Sequence, residues 1–232
     1  MAHKRVLIPS EFATGNQLTA DMVAVGMRFT AARSSKEPNI EDTIVAASLE
    51  GIGHEDYRVL SLLVDWFGVH FERVNVDRLA KMVRLLEDQR VKAFWKALAQ
   101  WQKRDWRFKK LQKVYTKSRL DLISEGTAFQ IERHGEDERF AGTALRIPKK
   151  LLRHRPEDIL SPHELSKQHR AYYFRVMMGP SYRADMWAVV ERHPEFTPTE
   201  IARHTYGSFP SAWQVRKDWM VLHRGRAVLK AS

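Results

Sequence analysis

The sequence predicts a mainly α-helical protein with an N-terminal helical bundle and a separate group of short helices at its C-terminal end. Apolar residues recur at helical spacing through the first hundred residues, with short polar links between the periodic runs. Between residues 104 and 160 this periodicity weakens, and glycines separate short apolar segments. Helix-start signals return after residue 160. We therefore divide the chain into a bundle (1–103), a basic connecting region (104–160) and a C-terminal domain (161–232).

Five helices are predicted in the bundle. The first has Met22, Val23, Met27 and Ala31 on its inner face by the 3.6-residue period, and Gly51 suits the end of the second. Short links favour antiparallel packing, and we expect such a bundle to serve dimerisation or partner binding. The predicted helices are 19–33, 40–51, 54–71, 76–86 and 89–103.

The connecting region has apolar segments that are short enough for strands. A small β hairpin is predicted near 129–147, with Gly135 at its turn. Farther along, Ser161, Pro162 and Glu164 have the order of a capping box with proline at the first helical position. This order starts a helix that is predicted to run to about Met178.

The most informative segment is 197–222, TPTEIARHTYGSFPSAWQVRKDWMVL, which has the signals of two short helices joined by a turn. Thr197, Pro198 and Glu200 repeat the cap, proline and glutamate order. The first helix is expected to end near Tyr206-Gly207, where glycine tolerates positive φ. Together with a helix predicted over 185–192, this segment indicates a helix-turn-helix domain, and a plain pair of packed helices is the alternative.

The second helix of this pair, capped by Ser208, has the features of a DNA-reading helix. Ala212, Val215, Trp219 and Leu222 share one predicted face, which would pack on neighbouring helices. Amide and cationic side chains lie opposite, where Gln can read adenine and Lys or Arg can contact guanine or phosphate. The predicted DNA contacts are Ser211, Trp213, Gln214, Arg216 and Lys217, with Arg224 and Arg226 on the basic arm that follows.

The two stretches GPSYRADMWAVV (179–190) and TPTEIARHTYGSFPSAWQVRKDW (197–219) resemble the winged-helix modules of bacterial transcriptional regulators. They are most similar to modules linked with nucleotidyltransferase toxin and type IV (abortive-infection) antitoxin operons. The resemblance covers residues 179–222, and no second strand of a wing is evident in the sequence. It implies operator binding, with Trp213, Gln214, Arg216 and Lys217 at the recognition-helix positions.

The positive charge lies in the second part of the chain. Residues 1–100 hold 13 Lys and Arg against 13 Asp and Glu, whereas residues 101–232 hold 26 against 15. The second part is therefore expected to face a polyanion. The sequence has no cysteine, which suits a reducing cytoplasm, and no apolar run of the length that a membrane span or a secretory signal needs.

A second basic feature is the segment 101–119, in which cations alternate with aromatic residues. Its lysines and arginines are candidates for phosphate contact, Lys109, Lys110 and Lys113 above all. The rings of Trp101, Trp106 and Phe108 are expected to anchor the end of the bundle rather than to stack on bases. A further cluster, Lys149, Lys150, Arg153, His154 and Arg155, either extends the basic surface or is an ordinary solvated loop.

Catalytic signals are weak. The ten histidines match no known metal-ligand spacing, and neither a phosphate-binding glycine loop nor a dinucleotide motif occurs. The acidic run Glu136, Asp137 and Glu138 is expected to be a solvated turn rather than a nuclease site. We therefore expect no enzyme activity, no metal and no cofactor.

Two functions fit these observations. The first is a cytoplasmic DNA-binding protein, either a bacterial transcriptional regulator or a defence or antitoxin-type component, that reads double-stranded DNA with the helix 209–220 as a monomer or a homodimer. The alternative is a protein-interaction subunit of a toxin–antitoxin or phage-defence complex that uses the helix-turn-helix structurally. In this case the N-terminal bundle would hold the partner, and a large exposed apolar patch on the bundle would favour this second function.

Overall fold

The computed structural model describes residues 8–34, 36–103, 105–123 and 125–223. These residues form twelve α-helices and one two-stranded sheet, which confirms the mainly α-helical class. No helix among them has both the length and the apolar character that crossing a bilayer requires. The helices are α1 (Gly15–Ala24), α2 (Ile40–Gly53), α3 (Tyr57–His70), α4 (Val76–Leu85), α5 (Gln89–Trp101), α6 (Lys109–Gln112), α7 (Thr127–His134), α8 (Pro162–Gln168), α9 (Arg170–Met178), α10 (Tyr182–Arg192), α11 (Pro198–His204) and α12 (Phe209–His223), and the strands are β1 (Leu120–Asp121) and β2 (Leu145–Arg146).

The main apolar core is built around the indoles of Trp66 and Trp95, both fully buried. Each indole N–H is satisfied inside the core: Trp66 donates to the carbonyl of Val25 at 2.8 Å, and Trp95 donates to the hydroxyl of Ser48 at 3.0 Å. A buried ring whose polar atom is paired contributes its full apolar area to stability. The buried residues of this single cluster are drawn from positions between 18 and 172, and several of them belong to the connecting region.

The first helix ends earlier than predicted. α1 stops at Ala24, and Gly26 follows with φ +100°, a conformation that ends a helix and favours glycine. Met27 is buried as expected, but it forms an antiparallel bridge with Ile159 instead of continuing the helix. The backbone here pairs with a distant segment, and the helical period could not indicate that pairing.

The predicted hairpin near 129–147 is wrong. Residues 127–134 form α7, and Gly135 with φ +82° ends this helix rather than turning a hairpin. β2 pairs in parallel with β1, which lies before α7, so that Leu120 is opposite Leu145. Short apolar segments do not distinguish a strand from a helix by periodicity alone. Leu145, in β2, is buried in the core.

The helix that begins at Ser161 is interrupted at His169. The capping box of Ser161 and Glu164 is confirmed, but α8 ends at Gln168 and a new helix, α9, begins one residue later. His169 has extended backbone angles (φ −127°, ψ 109°), and its buried imidazole accepts a hydrogen bond from the Tyr172 N–H. The histidine is thus the cap of α9, which explains why the chain bends here.

Candidate nucleic-acid interface

The last three helices, α10, α11 and α12, form a compact unit with its own small apolar cluster. The capping box of Thr197 and Glu200 is confirmed at the start of α11, and the Ser208 hydroxyl accepts from the Ser211 N–H at 3.4 Å at the start of α12. Both helices therefore begin at the predicted residues. The buried members of the cluster are Met186, Val190, Ile201, Ala212 and Val215.

This cluster determines which face of α12 is turned inward. Ala212 and Val215 are buried as predicted, and Trp219 is partly buried against α10 and α11. Leu222, expected on the same face, is 70% exposed because the apolar cluster ends at Trp219, one turn earlier. The first three turns of α12 thus provide its packing contacts with the cluster.

The turn between α11 and α12 differs in detail from the prediction. Tyr206, not Gly207, adopts the left-handed conformation, with φ 55°. Gly207 is needed for a different reason: a Cβ atom at this position would collide with the side chain of Met186 in α10. A side chain at residue 207 would therefore require the Met186 side chain, which is buried in the apolar cluster, to shift.

Tyr206 also fixes the turn to the N-terminal bundle. Its hydroxyl donates to the carboxylate of Asp42 in α2 at 2.9 Å, and the guanidinium of Arg78 lies 4.0 Å from the centre of its ring. Arg78, itself buried, donates to Asp42 at 2.6 Å and to the side-chain oxygen of Asn39 at 2.7 Å. Burial raises the pKa of Asp42, while Arg78 opposes this shift.

A buried ionic network lies directly beneath this contact. The guanidinium of Arg175 in α9 donates to both carboxylate oxygens of Glu41 at 2.6 and 2.8 Å, and to both of Asp185 in α10 at 2.8 and 2.9 Å. Burial pushes the pKa of Glu41 up, but Arg175 and Arg78 together lower it. Arg175 therefore joins α2, α9 and α10, and it holds the three-helix unit on the bundle.

The outward face of α12 combines polar and apolar side chains. Lys217 lies with its ammonium 5.4 Å from the ring centre of Trp213, which is 49% exposed. Gln214 donates to Asp218 at 2.7 Å, and Arg183 of α10 donates to the same carboxylate at 2.7 Å. Asp218 thereby orients Gln214, and both Gln214 and Lys217 are exposed to solvent as predicted.

The remaining predicted contacts of α12 have less access to a ligand. Ser211 is exposed, and its hydroxyl is 2.8 Å from that of Ser208 in the first turn. Arg216 was expected beside the outward face, but it is only partly exposed: its guanidinium lies 5.3 Å from the ring centre of Trp219, and one terminal nitrogen is buried. Arg224 and Arg226, and any arm or wing that they form, lie outside the described residues.

Lys109, Lys110 and Lys113 lie in or next to α6, and all three are exposed. Lys110 forms an ion pair with Asp77 at 2.6 Å. Next to them, Trp106 is 74% exposed, so the prediction that its ring anchors the bundle is wrong, although Phe108 is buried as expected.

The lysines of α6 lie close to the three-helix unit (α10, α11 and α12) at the start of α10. Trp106, Lys109 and Lys110 line a cavity of about 380 Å³ together with Pro180, two residues before α10. Arg183, in the first turn of α10, contacts Asp218 of α12. The two groups of predicted contacts therefore flank the same end of α10.

Side chains suited to metal binding are not grouped in the part of the chain that is described. Each member of the acidic run is paired with a cation: Glu136 with Arg119, Asp137 with Arg139 at 2.7 Å, and Glu138 with Lys149 at 3.2 Å. Asp137 is buried, so this residue does not belong to a solvated turn. The pairs of Glu136 and Glu138 connect the run to other segments, whereas Asp137 is paired locally with Arg139.

The chain matches no protein-family model, and no curated protein or solved structure is significantly similar to it. The described residues nevertheless define a structural class: a mainly α-helical protein in which buried ion pairs hold a C-terminal three-helix unit against an N-terminal bundle.

Proposed function

We propose that this protein binds duplex DNA through a C-terminal helix-turn-helix, with α12 in the major groove. The observation that carries the proposal is the outward face of α12, where Gln214 and Lys217 are exposed beside the ring of Trp213. Gln can make a bidentate contact with adenine, Lys can contact guanine or phosphate, and an apolar ring can pack on a thymine methyl group.

Anchoring of α12 supports a sequence-reading role. A helix that reads base edges has to be held firmly, because a small displacement moves its side chains out of hydrogen-bond range. The contacts of Tyr206 with Asp42 and of Arg175 with Glu41 and Asp185 provide this rigidity. Asp218 adds a local restraint because it holds the amide of Gln214.

The exposed lysines around α6 support phosphate contact. Cations that neutralise phosphates release counterions, so this part of the affinity is independent of sequence and decreases with salt. Lys109 and Lys113 form no ion pair with any residue in the described ranges, which leaves both ammonium groups available. Arg224 and Arg226 are included in the proposal as further phosphate or minor-groove contacts.

The biological setting that we propose is a bacterial transcriptional regulator or a defence or antitoxin-type component in the cytoplasm. A dimeric form would bind an inverted repeat with half-sites about 10 bp apart. A monomer would select a single short site instead, so the enriched sequence itself reports the oligomeric state on DNA.

Selection from random-sequence duplexes at two salt concentrations tests this proposal. We expect an enriched motif for the wild type that disappears in Gln214→Ala/Lys217→Ala and remains in Lys167→Ala, which removes an exposed lysine from α8. Lys109→Ala/Lys113→Ala should keep the motif but flatten the dependence of log K on log[salt] by about 1 for each phosphate that the variant no longer neutralises. Failure to enrich any motif would contradict sequence reading.

A second candidate function is the binding of a protein partner by α12. Phe209, Trp213 and Met220 are exposed, and at positions i, i+4 and i+11 they lie along one side of the helix. Such a stripe can enter an apolar groove on another protein. Loss of a co-purifying partner in Phe209→Ser/Met220→Ser, together with no binding of the wild type to any duplex, would favour this candidate over DNA binding.

A further inference from the structure

A cavity of about 590 Å³ lies between the start of α3 and the segment 150–158, and no residue of α12 is among those that line it. Five cationic side chains line it, contributed by three separate parts of the sequence. They are Arg28, Arg58, Lys150, Arg153 and Arg155.

The backbone that presents two of these cations is fixed by side chains of α3. The N–H of Arg153 donates to the Ser61 hydroxyl at 3.0 Å, and the N–H of Arg155 donates to the Asp65 carboxylate at 2.6 Å. Lys150 has a left-handed backbone with φ 69°, which is uncommon for a residue other than glycine and occurs often at ligand sites. The segment is therefore held in one shape while its charged side chains remain exposed.

The acidic groups of the cavity do not cancel this charge. Asp65, buried at its base, accepts from the Arg155 N–H and contacts His154 at 2.7 Å and Arg139 at 3.4 Å, so it is already compensated. The other carboxylate in the lining is that of Asp158, which can offset only one of the five positive charges.

Most of these cations are not engaged in ion pairs with residues that the structure describes. Within the described ranges, Arg58, Lys150, Arg153 and Arg155 form no ion pair with an acidic side chain. Arg28 contacts Glu164 only at 3.7 Å, and both side chains are about half exposed. Cations gathered in one concavity repel each other unless an anion is bound among them.

We infer that this cavity binds a small anion with two or more phosphate groups, of the class of nucleoside triphosphates. Four of the five cations are arginines, and arginine binds phosphate oxygens in a bidentate manner. The cavity has the size of a small-ligand pocket, and Tyr57, Leu62 and Leu151 provide an apolar wall for the part of the ligand that carries no charge. This inference does not depend on the proposed DNA binding.

Isothermal titration calorimetry of the full chain with inorganic triphosphate, ATP and inorganic phosphate tests the inference at physiological salt. We expect saturable binding of triphosphate and ATP with one site per chain, and much weaker binding of phosphate. Arg153→Ala/Arg155→Ala should reduce the affinity at least about tenfold, because it removes two guanidinium groups that can bind phosphate oxygens. Circular dichroism confirms folding, which the change should spare because both side chains are exposed.

Lys149→Ala is the matched control, because Lys149 is exposed next to Lys150 but does not line the cavity. Its affinity for triphosphate should stay within about twofold of the wild type, since it removes one charge and no direct contact. An equal loss in Lys149→Ala and in the double variant would overturn the site, because it would show a general charge effect. Absence of saturable binding by the wild type would also overturn it.

Measurement of duplex DNA binding by the same variants distinguishes a small-molecule site from a surface that contacts the phosphates of DNA. We expect Arg153→Ala/Arg155→Ala to bind duplex DNA as the wild type does. If the double variant loses duplex binding and keeps triphosphate binding, the cavity is part of a DNA surface and the inference is wrong.

Discussion

The hydroxyl of Tyr206, in the turn before α12, donates a 2.9 Å hydrogen bond to the carboxylate of Asp42 in α2. The two residues are 164 positions apart in the sequence. The orientation of the exposed helix α12 is therefore coupled to the N-terminal bundle rather than to its neighbouring helices alone. Arg78 strengthens the contact, because it binds Asp42 and covers the ring of Tyr206.

Replacement of Tyr206 by phenylalanine tests this coupling. Tyr206→Phe removes one hydrogen bond to a carboxylate and keeps the ring over Arg78, so the free energy of unfolding should fall by about 1–2 kcal/mol. Urea denaturation measures this change. Tyr173→Phe is the control, because its ring packs on Arg170 at the surface, and it should unfold like the wild type. Equal stability of all three proteins would mean that the contact with Asp42 contributes nothing.

The buried network of Arg175 predicts a larger effect. Arg175→Met leaves the carboxylates of Glu41 and Asp185 buried without their main partner, which should cost about 3–5 kcal/mol of unfolding free energy. The triple variant Arg175→Met/Glu41→Gln/Asp185→Asn removes those charges and should recover part of the loss. Chemical denaturation of the two variants measures this recovery. A triple variant that is less stable than Arg175→Met would contradict the prediction that the unpaired buried charges cause the loss.

A side chain at residue 207 should destabilise the protein. In Gly207→Ala the added Cβ atom meets Met186, so we expect a loss of about 1–3 kcal/mol from overpacking. Gly53→Ala is the matched control: it is the last residue of α2 and has no atom within 4 Å of a built Cβ, so this variant should be neutral or more stable. Thermal unfolding compares the two, and a neutral Gly207→Ala would show that the Met186 side chain can move aside without cost.

The buried imidazole of His70 predicts how stability depends on pH. Burial lowers its pKa to about 4, and its ring atoms contact the hydroxyl of Tyr172 at 2.7 Å and the carbonyl of Leu160 at 3.0 Å. Between about pH 6.5 and pH 4 the unfolded chain therefore binds a proton that the native state does not bind. His70 alone should therefore lower the free energy of unfolding by about 3 kcal/mol as the pH decreases through this window.

His70→Gln isolates this contribution. The variant has no group that titrates at position 70, so its unfolding free energy should decrease less between about pH 6.5 and pH 4 than that of the wild type. His169, whose pKa burial also lowers to about 4, acts in the same direction and is unchanged in both proteins. Urea titrations at a series of pH values give the difference, and identical pH dependence in the two proteins would be the contrary result.

Local signals predicted most of the helices and their starts. The capping boxes at Ser161 and Thr197 and the cap at Ser208 were confirmed because each depends on residues within four positions. The breaks at Gly26 and His169 were not predicted, because both depend on pairing with distant segments: Gly26 accepts from the Leu160 N–H, and His169 contacts the Pro38 carbonyl. The period of apolar residues in the sequence does not indicate backbone partners that are so far apart in the chain.

In the candidate site, too, local features were predicted and contacts between distant residues were not. Exposure of Gln214 and Lys217 followed from the helical period, whereas the partial burial of Arg216 against Trp219 did not. The network of Glu41 and Arg175 was missed because a charged residue in a helix is ordinarily solvated. Its members come from elements far apart in the chain, and only the folded arrangement places their charged atoms 2.6 and 2.8 Å apart.

The specificity ratio on DNA tests the role of α12 most directly. It is the dissociation constant for a scrambled duplex divided by that for the selected duplex, measured by fluorescence anisotropy at one salt concentration. We predict that this ratio falls at least about tenfold in Gln214→Ala/Lys217→Ala, since each base contact is worth about 1–3 kcal/mol, and that it stays unchanged in Lys167→Ala. A ratio that is the same in the wild type and the double variant would contradict the assignment of α12 as the reading helix.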